Sequence, residues 1–433
     1  MSLLTKQSTK QQTKWHAKNS LFVICACALL TVFFSCSTDN KNQLIIWTDD
    51  AQIVSYVEFY NSLYEDAQAV VVYKVEPANS LPPAKDEIEP DIVIGPWLKN
   101  SNTRKYFKPL DYLFEEGSIS RSSFYSQVID YGKMNDRQYL IPISFNLPAI
   151  IYSRRNENLI QSDHLLNLEQ IKEISLSFNK QNKNGAFTAM GYAPSWDSEF
   201  LYFVTKLYGA SYREKGNSFL WNKDAMQNAV SFIKNWTIEN NTDTTTEQNF
   251  QFRYLYMPKY RQVASERCLF AYMPSNEFFT LADTQTENLT FRWIEKDQKI
   301  PIEDNLISLG IYKNSSNVKK AEKFIAWLVK EETQKSLIER TQNMKLDTSN
   351  FGIAGGFSSV KNVNEKVYPA YYRKLLGNLP AENFITMPYI LPYQWPNIKD
   401  RVIIPYLTES TSTAVENPRS LEERILDWTK QTF

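Results

Sequence analysis

Residues 139–153 read Tyr-Leu-Ile-Pro-Ile-Ser-Phe-Asn-Leu-Pro-Ala-Ile-Ile-Tyr-Ser. This pattern predicts a short strand that ends at Pro142, a polar kink over 144–146, and a second apolar strand from Ala149 to Tyr152. Proline fixes its own φ and removes a ladder donor, so it interrupts a sheet wherever it lies inside one. The two prolines therefore indicate a strand that leaves one sheet and enters another. A single strand with an edge break in an ordinary α/β protein fits the same residues.

Upstream of this stretch, short apolar runs alternate with a helical pattern. Leu44–Trp47, Val70–Tyr73 and Asp91–Gly95 read as strands, and apolar spacing over 54–64 predicts a helix between the first two. Continuous apolar strands separated by helices are typical of a parallel sheet that is covered on both faces. Ligands bind beyond the carboxyl ends of such strands. The residues predicted at that position are Trp47, Asp49 and Asp50 after the first strand and Trp97 after the third. Asp49 or Asp50 is also a candidate cap of the following helix.

Downstream, the same kind of pattern continues. Helices are predicted over 200–208, 223–236 and 318–328, and strands over 267–273, 291–294 and 305–312. Residues 240–248, rich in Thr and Asn, form the most loop-like stretch of the interior. We find no internal repeat.

The N-terminus has the features of an export signal. Four lysines and no acidic residue precede an apolar run from Leu21 to Phe34, and Ser35-Cys36 follows. The run is short for a membrane span, which needs about 20 apolar residues. A cysteine after a small residue resembles a bacterial lipobox, so we expect a signal peptide over 1–35, lipidation of Cys36 and a polar tether over 36–43. An uncleaved signal anchor is the alternative.

Composition excludes several classes of chemistry. The chain has two histidines and four cysteines, and after signal removal and lipidation Cys268 is the one thiol left, so no internal disulfide is expected. A Cys/His zinc site is excluded, and neither type of glycine-rich phosphate loop is present. The mature chain carries 44 basic and 48 acidic residues without a basic stripe, which argues against a nucleic-acid partner. We expect no cofactor, no metal and no enzymatic activity.

Five ordered segments resemble the family 1 extracellular solute-binding proteins, the maltose-binding-protein-like group. Besides the stretch at 139–153, these are Leu44–Asp50, Pro90–Gly95, Glu266–Asn276 and Ile307–Gln334. The resemblance implies a two-lobed α/β fold of the periplasmic-binding-protein type (type II). In it each lobe is a mainly parallel sheet flanked by helices, and hinge strands cross between the lobes. We assign 41–145 and 305–347 to the N-terminal lobe, and 146–304 and 348–433 to the C-terminal lobe.

The predicted ligand site combines aromatic rings with a few polar groups. Aromatic residues make up 14% of the chain, and aromatic faces stack on the C–H faces of sugars while polar groups fix orientation. The predicted ligand-binding residues are Trp47, Asp49, Asp50, Trp97, Phe145, Asn146, Tyr192, Trp196, Asn276 and Trp395. Sugar-binding members of the family often have a carboxylate where this chain has Asn146, and an aromatic residue where it has Pro274–Asn276. The identity of the ligand therefore stays open.

The resemblance implies a monomeric, lipid-anchored receptor in a bacterial cell envelope. It would capture a small solute, such as a sugar or oligosaccharide, by hinge closure and deliver it to the permease subunits of an ABC importer. A surface lipoprotein scaffold or adhesin that retains the fold without transporting a ligand is the alternative. A glycan hydrolase with paired carboxylates is a third hypothesis, for which the sequence shows no recognisable acid pair.

Overall fold

The computed structural model describes residues 43–216, 218–343 and 350–432. The predicted signal peptide, Cys36 and nearly all of the tether lie outside the described residues. Within the described ranges no helix has the length and apolar character needed to cross a membrane.

The strands in chain order are β1 (Leu44–Thr48), β2 (Ala69–Tyr73), β3 (Ile92–Gly95), β4 (Lys133–Met134), β5 (Arg137–Gln138), β6 (Ile141–Phe145), β7 (Ala149–Ser153), β8 (Leu165–Asn167), β9 (Lys180–Gln181), β10 (Phe187–Ala189), β11 (Arg213–Lys215), β12 (Ser218–Leu220), β13 (Phe270–Tyr272), β14 (Leu289–Glu295), β15 (Ile300–Pro301), β16 (Ile307–Ile311), β17 (Phe357–Ser358) and β18 (Ile385–Thr386).

The α-helices are α1 (Ala51–Leu63), α2 (Tyr112–Glu115), α3 (Ser126–Tyr131), α4 (Leu168–Phe178), α5 (Ser198–Leu207), α6 (Lys223–Asn241), α7 (Thr244–Phe252), α8 (Lys259–Ala264), α9 (Ser275–Phe278), α10 (Asp283–Thr286), α11 (Val318–Leu328), α12 (Glu331–Asn343), α13 (Tyr368–Tyr371), α14 (Trp395–Ile398), α15 (Ile404–Thr411) and α16 (Leu421–Thr432).

Two sheets carry the architecture. The first has the strand order β17-β6-β16-β3-β1-β2, and the second has the order β13-β7-β14-β8. Pairing is parallel for β1 with β2 and β3, and for β14 with β8. The expected parallel pairing is therefore limited to these strands. Strand β16 is antiparallel to both of its neighbours in the first sheet, and β7 pairs antiparallel with β13 and β14 in the second.

The stretch at 139–153 does pass from one sheet to the other. Strand β6 lies in the first sheet and β7, four residues further on, lies in the second. The first strand does not end at Pro142 as predicted but runs to Phe145. Its ladder with β16 shifts register between Ile307 and Ser308, and such an irregularity accommodates a residue that cannot donate to the ladder.

A second crossing runs from β14 to β16 and lies against the first. The backbone N–H of Glu303 donates to the carbonyl oxygen of Asn146 at 2.9 Å, and that of Ile302 donates to Thr386 at 3.1 Å. Strand β15 pairs with β18 beside this point. The connections between the two sheets are therefore hydrogen-bonded to one another.

Side-chain alternation divides the strands of the second sheet between two cores. On β7, Ala149 and Ile151 face the larger core, whereas Ile150 and Tyr152 face the core that packs under α5 and α6. Successive side chains of a strand point to opposite faces. All five residues of β7 are buried, which explains why the run reads as continuously apolar.

The lobe boundaries stay a prediction. Strand β17 pairs with β6 of the first sheet, and Phe351 and Tyr368 belong to the larger core. Helices α14 and α15, by contrast, contribute to the core under α5 and α6. We propose on this basis that the segment around β17 belongs to the lobe of the first sheet. The chain then returns to the second lobe near residue 391.

Candidate ligand-binding site between the lobes

A cavity of about 220 Å³ lies where the loop after β3 meets the second sheet and the second crossing. The first-sheet side contributes Trp97. The remaining lining residues are Glu199, Tyr202, Pro274, Asn276, Glu277, Lys399 and the crossing residues Glu303, Asp304 and Asn305. Two of these, Trp97 and Asn276, are predicted site residues, and the structure brings them together.

Trp97 reaches across from the first sheet to the second lobe. It follows Gly95-Pro96, has a φ of +63°, and packs against both the small core behind β1 and the core under α5. Gly95 leaves room for Pro77, because a Cβ there would lie 2.7 Å from the ring of that proline. Four residues further on, the hydroxyl of Ser101 donates to Glu214 of β11 at 2.7 Å. The loop after β3 therefore contacts the second lobe through a ring and a hydrogen bond.

Asp304 connects the second crossing to the second lobe. Its carboxylate accepts from the Tyr202 hydroxyl, from Lys206 Nζ at 2.6 Å and from Trp395 Nε1 at 3.3 Å. The carboxylate is 6% exposed and the Lys206 side chain 11%. Burial raises the pKa of Tyr202 well above its usual value, and the charge of Asp304 adds to this shift. Tyr202 is therefore a neutral hydrogen-bond donor at this site.

Two further carboxylates that line the cavity differ in the partners that they bind. Glu199 binds Lys399 Nζ through both oxygens, at 3.0 and 2.9 Å. Burial disfavours the charged form of Lys399, but the charge and hydrogen bond of Glu199, together with the charges of Asp304 and Asp400, outweigh it and raise the pKa of the lysine. Glu303 instead accepts from the neutral Tyr272 hydroxyl at 2.9 Å, and burial raises the pKa of its carboxyl group.

Four predicted aromatic residues lie in cores instead of in this cavity. Trp47 is 1% exposed behind β1, Phe145 stands at 87° to Tyr125, and Tyr192 and Trp395 are buried under α5. Each points to the packed face of its element, which the local sequence does not reveal. Trp196 stacks on Phe250 and lines a separate space of about 40 Å³ together with Tyr192.

The crossover residue Asn146 has structural partners. Its Nδ2 donates to the Gly355 carbonyl at 3.0 Å, and its Oδ1 accepts from the Ser275 hydroxyl at 2.6 Å. The side chain is 9% exposed. Asn146 therefore links the crossing to the loop at Gly355 and to the start of α9, and its amide is already engaged at both atoms.

The acidic pair after β1 lies at the carboxyl edge of the first sheet, as predicted. Asp50 caps α1 by accepting from the Gln52 N–H at 2.8 Å. Asp49 Oδ1 lies beside Gly95. Burial raises the pKa of both carboxyl groups.

The lining residues that sequence reasoning missed include Glu199, Tyr202, Glu277, Glu303, Asp304 and Lys399. Glu303 and Asp304 form an acidic doublet just before the strand predicted at 305–312, and this doublet was a usable signal. The others lie on α5, on α9 and just after α14, and only the packing of these helices places them at the crossing. Among the described residues no group of His, Cys, Asp or Glu has the arrangement of a metal site.

A second cavity, of about 250 Å³, lies on the other side of the same crossing. It shares Tyr202 and Asp304 and is otherwise lined by residues such as Tyr212, Lys299 and Tyr389. Among the described residues, its lining includes none from the loops of the first sheet. The cavity that includes Trp97 has walls from both sides, so we take it as the candidate ligand site.

Comparison with known proteins gives similarity at the level of the fold. No family model matches the chain, and no curated protein is similar to it in sequence. The maltose-binding periplasmic protein MalE of Listeria monocytogenes, solved with maltose, is similar with a TM-score of 0.63 and 13% identity, covering 91% of this chain and 99% of that chain.

Two further structures agree with this result. A family 1 extracellular solute-binding protein of Alicyclobacillus acidocaldarius is similar with a TM-score of 0.62 and 11% identity, covering 90% of this chain and 97% of that one. The GacH receptor of Streptomyces glaucescens, solved unliganded and with acarbose, has a TM-score of 0.58 and 14% identity, with coverage of 90% and 97%. The predicted fold class, the two-lobed α/β fold of these binding proteins, is confirmed.

Proposed function

We propose that this chain is a family 1 extracellular solute-binding protein that captures a sugar or oligosaccharide between its lobes. The observation that carries the proposal is the cavity between Trp97 on one side and the polar groups of the second lobe on the other. Clefts that combine an aromatic ring with a few oriented polar groups are typical of small-ligand sites. Proteins with this fold that were solved with maltose or mannotriose support a sugar as the solute.

The mechanism we infer is binding coupled to lobe closure. Trp97 and Ser101 reach the second lobe from the first-sheet side, so contacts from both sides can form only when the lobes are close together. A ligand that touches both sides shifts the equilibrium towards the closed form by its differential affinity for that form. The closed form would then be recognised by the permease subunits of an ABC importer.

We further propose that lipid on Cys36 holds the receptor at a bacterial membrane, with 36–43 as the tether. The basic residues, the apolar run and the Ser35-Cys36 pair support this. The receptor would act as a monomer facing the periplasm or the exterior. Mass spectrometry of the membrane-extracted protein tests it, since an acylated Cys36 at the N-terminus is the expected result and an intact 1–35 segment would contradict it.

Ligand-dependent thermal stabilisation tests the solute-binding role. A ligand that binds the native state alone stabilises it by about 2.7 kcal/mol at a hundred times its dissociation constant. We expect one or more members of a panel of sugars, polyols and oligosaccharides to raise the melting temperature. No shift with any of them would favour the scaffold or adhesin alternative.

The contribution of Trp97 is tested by Trp97→Ala, with Trp221→Ala as the control. Loss of the ring should weaken binding about fivefold, because stacking on an aromatic face is worth on the order of 1 kcal/mol. Both residues are partly buried against the core under α5, but Trp221 does not line the cavity. Equal affinities of the two variants in calorimetric titration would remove Trp97 from the site.

A further inference from the structure

The lining of the interlobe cavity contains more carboxylates than cations. Glu199, Glu277, Glu303 and Asp304 contribute acids, and Lys399 is the one cationic lining residue. Lys399 is already bound to Glu199. Lys206, which lies outside the lining, neutralises Asp304 at 2.6 Å. Two of the four carboxylates are therefore compensated by bonded lysines.

The other two carboxylates are not compensated in this way. Within the described ranges, Glu303 has no lysine, arginine or histidine at ion-pair distance, and its one hydrogen-bond donor is the neutral Tyr272 hydroxyl at 2.9 Å. Glu277 has its nearest cation, Lys259 Nζ, at 3.9 Å, and that lysine is already bound to Asp197. Glu277 is half exposed, so solvent screens its charge, whereas Glu303 is partly buried without an ion pair, which is costly. Glu303 is therefore the carboxylate of the cavity that favours a positively charged group.

Two neighbours of Glu303 present groups that suit the same kind of ligand. Asn276 Oδ1 is a buried acceptor without a hydrogen-bond donor among the described residues. The ring of Trp97 faces the cavity from the opposite lobe, and tryptophan is the aromatic side chain that attracts a cation most strongly. A carboxylate, an unsatisfied amide oxygen and an indole ring together match a group that has several N–H donors and a positive charge.

We propose that the solute carries a protonated primary amine, as an amino sugar or an amino-sugar oligosaccharide does, and that Glu303 receives the ammonium group. This inference rests on the proposed function of the cavity as a sugar site. An ammonium group has three donors and no acceptor, so it can bind Glu303 and keep further donors for other acceptors of the lining. A neutral sugar of the same shape leaves the charge of Glu303 uncompensated.

A matched pair of ligands tests the inference. The probes are a glucosamine trisaccharide and its fully N-acetylated counterpart, which share a skeleton but differ in charge, together with maltotriose as a neutral sugar. Calorimetric titration of the full chain at pH 7 and low salt should give at least tenfold tighter binding of the amino form. The preference should diminish as salt is added, because added ions screen charge interactions at a partly solvated site.

Two variants locate the effect. Glu303→Gln keeps the shape and the acceptor for Tyr272 but removes the charge, and it should abolish the preference for the amino form. Glu239→Gln is the control, since Glu239 is exposed on α6 and pairs with Lys172 away from the cavity. The control should retain the preference in full.

The pH dependence supplies an independent readout. The charged groups around Glu303 are Lys206, which favours its ionised form, and Asp304 and Glu199, which oppose it, while burial gives a net rise in pKa above the usual 4.5. Affinity for the amino trisaccharide should therefore fall as the pH is lowered through this raised pKa, because the carboxylate becomes neutral. Affinity for the N-acetylated form should change little over the same range.

The outcomes separate the inference from the function on which it rests. Binding of maltotriose or of the N-acetylated trisaccharide with equal or weaker binding of the amino form overturns the inference and leaves the sugar-receptor function in place. A preference that survives in Glu303→Gln also overturns it. Failure of every sugar to bind or to stabilise the protein overturns the proposed function and the inference together.

Discussion

Replacing Asp304 by Asn should destabilise the protein far more than breaking a surface ion pair. Asp304 carries a buried charge that neutralises Lys206, and the same carboxylate accepts from Tyr202 and Trp395. Asparagine keeps an acceptor but leaves the ammonium group of Lys206, 11% exposed, without a counter-charge. Breaking a buried pair by removing one partner costs about 3–5 kcal/mol. We therefore expect a loss of about 3 kcal/mol in the free energy of unfolding.

The measurement is equilibrium unfolding in urea, in which the shift of the midpoint multiplied by the slope gives the change in stability. The control is Asp427→Asn, which breaks the pair with Arg419, whose side chains are 45% and 53% exposed. Solvent screens this exposed pair, so its loss should change the stability little. The double variant Asp304→Asn/Lys206→Met should recover part of the loss, since it removes the uncompensated charge. A cost for Asp304→Asn no larger than that of the control would refute the reasoning.

Three further predictions concern other parts of the structure. Glu214→Ala removes the acceptor of the Ser101 hydroxyl and N–H. Because a hydrogen bond contributes about 1 kcal/mol, the ratio of closed to open molecules should fall about fivefold, and an unchanged radius of gyration in solution scattering would contradict this. Asp50→Ala removes the cap of α1 and should cost about 1 kcal/mol in urea unfolding, while Asp50→Asn should cost much less. Burial raises the pKa of the Cys268 thiol to about 12, so iodoacetamide at pH 8 should modify Cys268 only when the protein unfolds. Peptide mass spectrometry checks this, and rapid labelling of the native protein would contradict it by showing that the thiol is accessible.

The strands could be predicted closely from the sequence, because burial on both faces leaves a continuous apolar run. Strand β1 has five buried residues, and the predicted strand at 291–294 lies inside β14 (Leu289–Glu295). The crossing at 139–153 was also readable, since two prolines and a polar kink separate two apolar runs. The end of its first strand could not be read from the sequence, because the irregularity that accommodates Pro142 depends on the partner strand β16.

The stretch at 240–248 shows where local composition misleads. It was predicted as a loop, but it contains the end of α6 and half of α7. Asp243 caps α7 by accepting from the Thr246 N–H, and Glu247 is fully buried with Asn241 Nδ2 at 2.7 Å. Helix-disfavouring Thr and Asn are tolerated there because capping and buried hydrogen bonds replace what intrinsic propensity lacks.

The candidate site was only partly predictable, because its side chains come from distant segments. Trp47 lies near the end of β1 and Trp97 follows β3, yet Trp47 packs behind β1 and Trp97 lines the cavity. The difference lies in the turn at Gly95-Pro96 and in the positive φ of Trp97, which direct its ring towards the second lobe. The sequence shows the Gly-Pro pair but not the direction in which the turn aims the ring of Trp97.

By itself the sequence determined the α/β class, most of the strands, the point at which the chain changes sheets and the features of an export signal. These are local properties, set by side-chain alternation, proline and the length of apolar runs. The tertiary structure alone decided which aromatic rings face a cavity and which carboxylates have a cation beside them. Those outcomes depend on groups that are far apart in the chain: Lys206 of α5 forms an ion pair with Asp304 but not with Glu303, which accepts from Tyr272 instead.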